Sequence, residues 1–391
     1  MPKQIQRADL DPSNSVEAKL TDEEGVERET IGFPDRITKP FDPNLISIST
    51  QTLTVDLILT RISNNEINLS PDFQRHDGIW NDGAQSRLIE SLLIRIPLPA
   101  FYMDATKEDK WLVVDGLQRL STLKRFVLNK TLHLSELEFL SQLEGATYDQ
   151  LSRNLQRRIQ ETQITVYLIE RETQPEVKFN IFKRINTGGL PLSAQEIRHA
   201  LNQGPSTILL KELAECKEFK TATAQGINPK RMGDRECVLR FLAFTMMPPD
   251  EYSTKDLDSF LNAAMRRLNQ MSIDERAHLS TLFKRALTAS ERCFGEYAFR
   301  KRYAVDDKYR YPINKALFEV WTVNLGRQSE SKLQLLVARK HQLRAAFCQL
   351  MSQNREFESA ISQGTGDPGK VRLRFGEISK IIEKVLSDAK D

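Results

Sequence analysis

The sequence predicts an α+β fold, a small mixed-sheet domain followed by a mainly α-helical domain. Three observations carry that prediction. Short β-rich runs alternate with helical patterns in the first half of the chain. Beyond about residue 205 the strand signals stop and helical periodicity runs to the end. The chain has 391 residues, more than one compact core usually organises. The segments expected are a polar, flexible arm over 1–44, the α/β domain over 45–205 and a helical domain over 206–391.

Helical spacing begins over Leu53–Ile62 and stops at the turn-like Asn64-Asn65. An extended piece, Asn68–Arg75, follows. Ala84–Ile94 reads as an amphipathic helix with Leu88, Leu92 and Ile96 near one face, ended by Pro97 and Pro99. Ala100–Met103 and Trp111–Val114 flank a polar turn and predict a hairpin. A helix is expected from Leu117 to Val127, and Ile164–Ile169 supplies a third strand rich in β-formers. Pro175–Ile185 has a helical apolar side of Val177, Phe179, Phe182 and Ile185. After the loop Asn186-Thr187-Gly188-Gly189, Ser193 and Glu196 fit a capping box that opens another helix. Helices are then expected over Thr207–Cys216, Asp234–Met246, Leu257–Gln270, Ile273–Phe294, Lys315–Leu325, Ser331–Asn354 and Val371–Leu386.

Bulk properties narrow the classes. Hydrophobic residues make up 40% and charged residues 28%, enough apolar material for a core. The net charge of +3 does not by itself mark a nucleic-acid binder. The four cysteines are scattered, with no C-x-x-C pair and no His at ligand spacing, so reduced thiols are expected rather than zinc. The N-terminal MPKQIQRADL lacks a signal peptide's apolar core, and no apolar run approaches the ~18 residues of a membrane span. A cytoplasmic location without membrane contact is the expectation.

The chemistry centres on Val114-Asp115-Gly116-Leu117-Gln118-Arg119. Asp115 ends an apolar strand, so its carboxylate emerges at the sheet edge. Gly116 permits a tight turn and close ligand approach. Gln118 and Arg119 fall in the first turn of the next helix, where free N–H groups and the dipole favour an anion. Arg119 can grip phosphate bidentately, Gln118 can orient a water or a ligand oxygen, and Asp115 can hold magnesium or a sugar hydroxyl. The bland alternative is an Asp-Gly turn followed by exposed helix residues. Two further segments bear on the choice. Pro71-Asp72-Phe73-Gln74-Arg75 is a polar, basic stretch that also reads as an ordinary loop. Arg184–Gly189 carries paired glycines and also reads as a helix C-cap.

The blocks PDFQR, Trp80, SRLIESLLIRIPLPAFYMD, VVDGLQRLSTL, IFKRINTGGLPLSAQEIRHAL and RMGDRECVLRFLAF together resemble the N-terminal domain of GmrSD-type restriction endonucleases. That family belongs to the ParB/sulfiredoxin-like superfamily and carries a DGQQR-type motif. Six separated blocks occur in the expected order, over roughly residues 45–245. CFGEYAFRKRY, YPINKALFEVW and ISQGTGDPGKVRLRF look like the helical tail of stand-alone members. The resemblance implies nucleoside triphosphate binding, in some members Mg²⁺-dependent hydrolysis, and defence against foreign or modified DNA. It makes Asp115, Gln118 and Arg119 the candidate catalytic residues. Gln74, Arg75, Gly116, Asn186, Thr187, Gly188 and Gly189 become candidates for nucleotide binding, and Asp115 and Asn186 for the metal. Leu117 departs from the family's first Gln. No His-Asn-His nuclease pattern follows residue 250, where His278 and His341 each stand alone in helical patterns.

DNA contact is expected of Arg300, Lys301 and Arg302, interleaved with Phe299 and Tyr303. Arg153, Arg157 and Arg158, and Lys230, Arg231 and Arg235, form further basic runs, and each run also reads as a solvated face. Trp80 and Trp111 read as core. Gly364–Lys370 only resembles a P-loop, because Val371 stands where Mg²⁺ binding needs Ser or Thr and a helix precedes it. Pro71-Asp72 with Glu108-Asp109-Lys110 makes a poor PD…ExK nuclease, since its ExK part falls in a hairpin turn. The rival class is a DNA-binding or regulatory subunit without catalysis, working with a separate nuclease or defence partner. Homo-oligomerisation stays open.

Overall fold

A computed structural model describes residues 26–27, 46–69, 80–185, 192–253 and 256–387. The chain divides into two compact units, one of residues 40–201 and the other of residues 202–391 with the N-terminal segment. Of the N-terminal arm before residue 45, only Val26 and Glu27 are described.

The first unit is a mixed α/β layer structure, as its patterning predicts. Its strands are β1 (Ile48–Thr54), β2 (Ile67–Asn68), β3 (Phe101–Lys107), β4 (Lys110–Asp115) and β5 (Gln163–Ile169). They lie in the order β1-β5-β3-β4-β2. β3 and β4 form the expected antiparallel hairpin, β5 runs antiparallel to β1 and parallel to β3, and β2 runs parallel to β4. β1 is a correction to the sequence reading. Leu53 lies in this strand instead of opening a helix, and α1 (Val55–Ser63) starts after Thr54, whose hydroxyl accepts the N–H of Leu57 at 3.2 Å. The strand was hidden because ISTQTLT carries few apolar residues and lies at the sheet edge.

Helices cover both faces of the sheet. α1, α2 (Asp82–Leu93), α3 (Leu117–Leu123) and α4 (Arg153–Glu161) bury Ile58, Leu92, Leu120 and Ile159 in one core with Phe101, Met103, Val113 and Val166. On the other face Phe179 and Phe182 of α5 (Pro175–Ile185) and Ile197 of α6 (Ala194–Leu201) pack with Val114 and Ile169. The capping box is present at α6: Glu196 N–H donates to Ser193 Oγ at 3.1 Å, and Ser193 N–H to Glu196 Oε2 at 2.6 Å. The helix after Gly116 does not run as one regular piece. α3 passes into a wider turn over Lys124–Leu128, closed by Asn129 N–H donating to the Lys124 carbonyl at 2.9 Å.

The second unit is helical. Its main elements are α7 (Pro205–Glu215), α8 (Lys217–Ala222), α9 (Gly233–Met246), α10 (Leu257–Gln270), α11 (Ile273–Phe294), α12 (Lys315–Gly326), α13 (Glu330–Ala338), α14 (Lys340–Gln353), α15 (Arg355–Ser362) and α16 (Pro368–Ser387). The predicted helix Ser331–Asn354 is two helices, broken at Arg339. Three charged blocks of the sequence meet in the core of this unit. Arg240 of α9 donates to Glu236 at 2.8 and 3.0 Å and reaches Glu319 of α12 at 3.5 Å. Lys315 reaches Glu236 at 3.3 Å, and Arg374 of α16 donates Nε–H to Glu319 at 2.8 Å. Glu319 and Arg374 are wholly buried, so each charge depends on its partners.

The same arginine explains the glycine-rich loop before α16. Arg374 donates to the Thr365 carbonyl at 2.7 Å, and the Tyr252 hydroxyl donates to the Gly366 carbonyl at 2.8 Å. Lys370 is spent on the Gln363 carbonyl at 2.6 Å. The loop joins two helices and is held by the core, unlike the strand-to-helix loop that cradles phosphates.

Asp234, in the first turn of α9, is only 9% exposed. Burial pushes its pKa up to about 6, with the N–H of Arg235 and the charge of Arg235 opposing. A folded-state pKa above the unfolded one makes the native state the better proton acceptor. Stability is then fullest below the unfolded value of roughly 4 and declines as pH rises through the folded value. Asp234→Asn is expected to be more stable than the wild type at pH 7, by on the order of 1–3 kcal/mol, and equal to it near pH 4. Urea midpoints at the two pH values check this.

Candidate nucleotide site

β4 delivers Asp115 to the end of the sheet, and the chain turns at Gly116 into α3. Gly116 has φ +97°, a left-handed conformation that disfavours a side chain. A Cβ there would also lie 2.3 Å from Cδ1 of Phe101, the first residue of β3. Glycine is therefore required twice, by the backbone and by the ring. It also leaves α3 without a side-chain cap at its N-terminus. The first N–H drawn into the helix is that of Leu120, which donates to the Gly116 carbonyl at 2.9 Å.

Arg119 turns back over this corner. It donates to Asp115 Oδ2 at 2.7 Å and to the Ala100 carbonyl at 3.2 Å, and it also reaches the Pro99 carbonyl. Its guanidinium lies 4.3 Å from the centre of the Phe101 ring. Burial pulls its pKa below the usual arginine value, and the Asp115 carboxylate pulls it back up. The guanidinium is thus a clamp between the start of β3 and the end of β4, already paired with a carboxylate.

Gln118 and Asp115 keep free atoms. Gln118 Oε1 accepts the backbone N–H of Trp80 at 3.3 Å. Among the described residues, neither Gln118 Nε2 nor Asp115 Oδ1 has a hydrogen-bond partner. The Trp80 carbonyl accepts from Gln85 Nε2 at 2.6 Å, and Asn81 caps α2 through the Ala84 N–H at 2.8 Å. Arg125, in the wide turn after α3, binds Asp82 at 2.6 Å and Gln85 at 3.1 Å. The hydrogen bond from Arg125 holds the Asp82 carboxyl below its ordinary range. Gln85, Phe101 and Arg125 were not singled out in the sequence. Gln85 and Arg125 read as plain helix residues, and only the tertiary fold aims them at this corner.

The remaining candidates divide. Gln74, Arg75, Asn186, Thr187, Gly188 and Gly189 lie outside the described residues. The chain flanking the first pair is described: β2 runs parallel to β4, with Asn68 opposite Leu112, and the chain resumes at Trp80 against Gln118. α5, which precedes Asn186, packs Phe179 and Phe182 on Val114, the residue before Asp115.

Arg300 and Arg302 are buried. Arg300 donates to the carbonyls of Tyr311 at 2.5 Å and Glu296 at 3.1 Å, and Arg302 to those of Val305 at 2.6 Å and Asp307 at 3.0 Å. Lys301 pairs with Glu27 at 2.6 Å. These side chains hold a loop of the helical unit. Two open clefts of that unit, one beside Lys217 and Lys220 and one beside Arg355 and Lys384, contain none of the motif residues. Trp111 is core, as expected, whereas Trp80 is 36% exposed. Among the described residues no helix is long and apolar enough to cross a membrane, and no group of three or more acidic, His or Cys side chains is arranged to hold a metal. A magnesium ion taking most of its ligands from phosphate and water needs only one or two carboxylates, and Asp115 Oδ1 fits that limited role.

Mixed sheet, strand–glycine–helix corner and half-buried arginine clamp together define the class, an α+β domain with its motif at the sheet end. Residues 58–202 match the family model for the GmrSD restriction endonuclease, N-terminal domain. The chain finds no match among curated proteins.

Two outcomes follow. Gly116→Ala is expected to lower stability by roughly 2 kcal/mol or more, through the φ and the Phe101 overlap; a second substitution, Phe101→Leu, recovers part of the loss in urea unfolding. Arg300→Ala is expected to lower the melting temperature by several degrees without changing the salt dependence of any DNA binding, as read by calorimetry and fluorescence anisotropy.

Proposed function

We propose that the first unit binds a nucleoside triphosphate with Mg²⁺, and hydrolyses it, in the service of restriction or phage defence at DNA. The observation that carries this reading is the corner itself: Asp115, Gln118 and the start of α3 lie within one turn of chain, and among the described residues Asp115 Oδ1 and Gln118 Nε2 have no hydrogen-bond partner and the helix has no side-chain cap. Free N–H groups at a helix start favour phosphate oxygens. The matched family, described as a restriction endonuclease domain, supports the defence setting.

Each residue has a distinct task in this reading. Gly116 lets phosphate approach the backbone. Gln118 Nε2 donates to a ligand oxygen or orients the attacking water. Arg119 holds the Asp115 carboxylate in position, and Asp115 Oδ1 anchors the ion. Bound magnesium would neutralise phosphate charge. Gln74, Arg75, Asn186, Thr187, Gly188 and Gly189 are proposed as further nucleotide-binding residues, with Arg75 supplying a cation and Asn186 a further metal ligand. Catalysis would rest on positioning and charge stabilisation, without a covalent intermediate.

One observation favours a second reading. Leu117 packs on the core of the unit, so the amide that the family's motif places there is missing. A domain that binds nucleotide without hydrolysing it, and signals to a separate nuclease, needs only the binding atoms.

Calorimetry and phosphate release with ATP, GTP, CTP and UTP in Mg²⁺ separate the readings. Nucleotide binding with release, weakened about tenfold or more by Gln118→Ala and made insensitive to Mg²⁺ by Asp115→Asn, is the expected outcome. Binding without release supports the second reading. No binding of any triphosphate, or Arg119→Ala indistinguishable from the wild type, rejects both.

A further inference from the structure

We propose that Trp80 is the platform on which the planar base of the bound nucleotide stacks. The inference rests on the nucleotide reading of the Asp115–Arg119 corner and adds the base to it. The chain has three tryptophans. Trp111 is 6% exposed and Trp321 1%, whereas Trp80 is 36% exposed. Its backbone is fixed on both sides: the N–H donates to Gln118 Oε1 at 3.3 Å, and the carbonyl accepts from Gln85 Nε2 at 2.6 Å. The next residue, Asn81, caps α2. A large ring, 36% exposed, is thus held at its backbone beside the motif. Gln85 is itself gripped by Arg125 at 3.1 Å, so the support extends to the far end of α3.

An indole offers a π-face and one N–H. It binds planar rings by stacking, which is tolerant of base identity because every base has a π-face. The phosphates would be read at the corner and the base only by its face. Weak discrimination among the four bases is the consequence.

Intrinsic tryptophan fluorescence tests this in the full chain, because the other two indoles are buried. The probes are ATP, GTP and CTP, inorganic tripolyphosphate, and a short single-stranded oligonucleotide, each with Mg²⁺. The nucleotides are expected to quench the signal, and tripolyphosphate is expected to bind by calorimetry without quenching. Trp80→Ala should weaken nucleotide binding roughly tenfold or more and leave tripolyphosphate binding unchanged, while Trp80→Phe retains most of the affinity. If Trp80→Ala does not fold, the wild-type quenching pattern and Trp80→Phe decide. Nucleotide affinity equal in Trp80→Ala and wild type, or nucleotide binding without quenching, overturns the platform and leaves the phosphate corner standing. Quenching by the oligonucleotide alone assigns the ring to nucleic acid and also overturns it. Failure of every phosphate probe to bind rejects the corner, and the platform with it.

Discussion

The first unit depends on one side chain, Arg119. Its guanidinium joins the carbonyls of Pro99 and Ala100, at the start of β3, to the carboxylate of Asp115 at the end of β4, and it lies over Phe101. The Ala100 carbonyl and the Asp115 carboxylate are partly buried, and without the donor each would lose a partner. The ring beneath the guanidinium is also what excludes any residue but glycine at 116. The hairpin, the turn and the start of α3 are therefore fixed together. Lysine would not substitute, since a point charge cannot serve three oxygens from one planar fork and stack at the same time.

The helical unit solves a similar problem with more charge. Glu319 is held between Arg374 and Arg240, and Glu236 takes Arg240 and Lys315. Three helices far apart in sequence, α9, α12 and α16, share this chain of charges. Such a network adds little net stability over an apolar core of equal volume, yet removing one member strands another and costs about 3–5 kcal/mol. It specifies which helices meet. The resemblance blocks RMGDRECVLRFLAF, YPINKALFEVW and GKVRLRF acquire a physical meaning here, because each supplies a member of the same network.

What could be read from the sequence follows from what fixes each feature. The β3–β4 hairpin and α5 were legible because period and turn chemistry are local. So was the capping box at Ser193 and Glu196, which needs only two residues three apart. β1 was not legible, because its pairing with β5 gives ISTQTLT its conformation and its own alternation is weak. The motif was legible as a strand, a glycine and a helix start. That Arg119 would bend back to Asp115 and two carbonyls was not, since Pro99 and Ala100 reach it only through the tertiary fold. Arg300 and Arg302 failed as surface markers for the same reason. A basic run with aromatics looks alike whether it faces phosphate or a ring of backbone carbonyls, and burial alone separates the cases.

Sorting the motif by what each atom already does changes where function has to reside. Gly116 and Arg119 are required by folding, so their presence says as much about the sheet corner as about a ligand. Asp115 and Arg119 also neutralise each other, which removes the arginine as a net cation for phosphate. A triphosphate at this corner would need positive charge from elsewhere: the helix start, a bound cation, or a basic side chain from outside the motif such as Arg75. Among the described residues, Gln118 Nε2 and Asp115 Oδ1 are motif atoms without a hydrogen-bond partner. On the proposed reading, selectivity lies in those two and in whatever faces them, and Trp80 is pinned by its backbone N–H to the same glutamine.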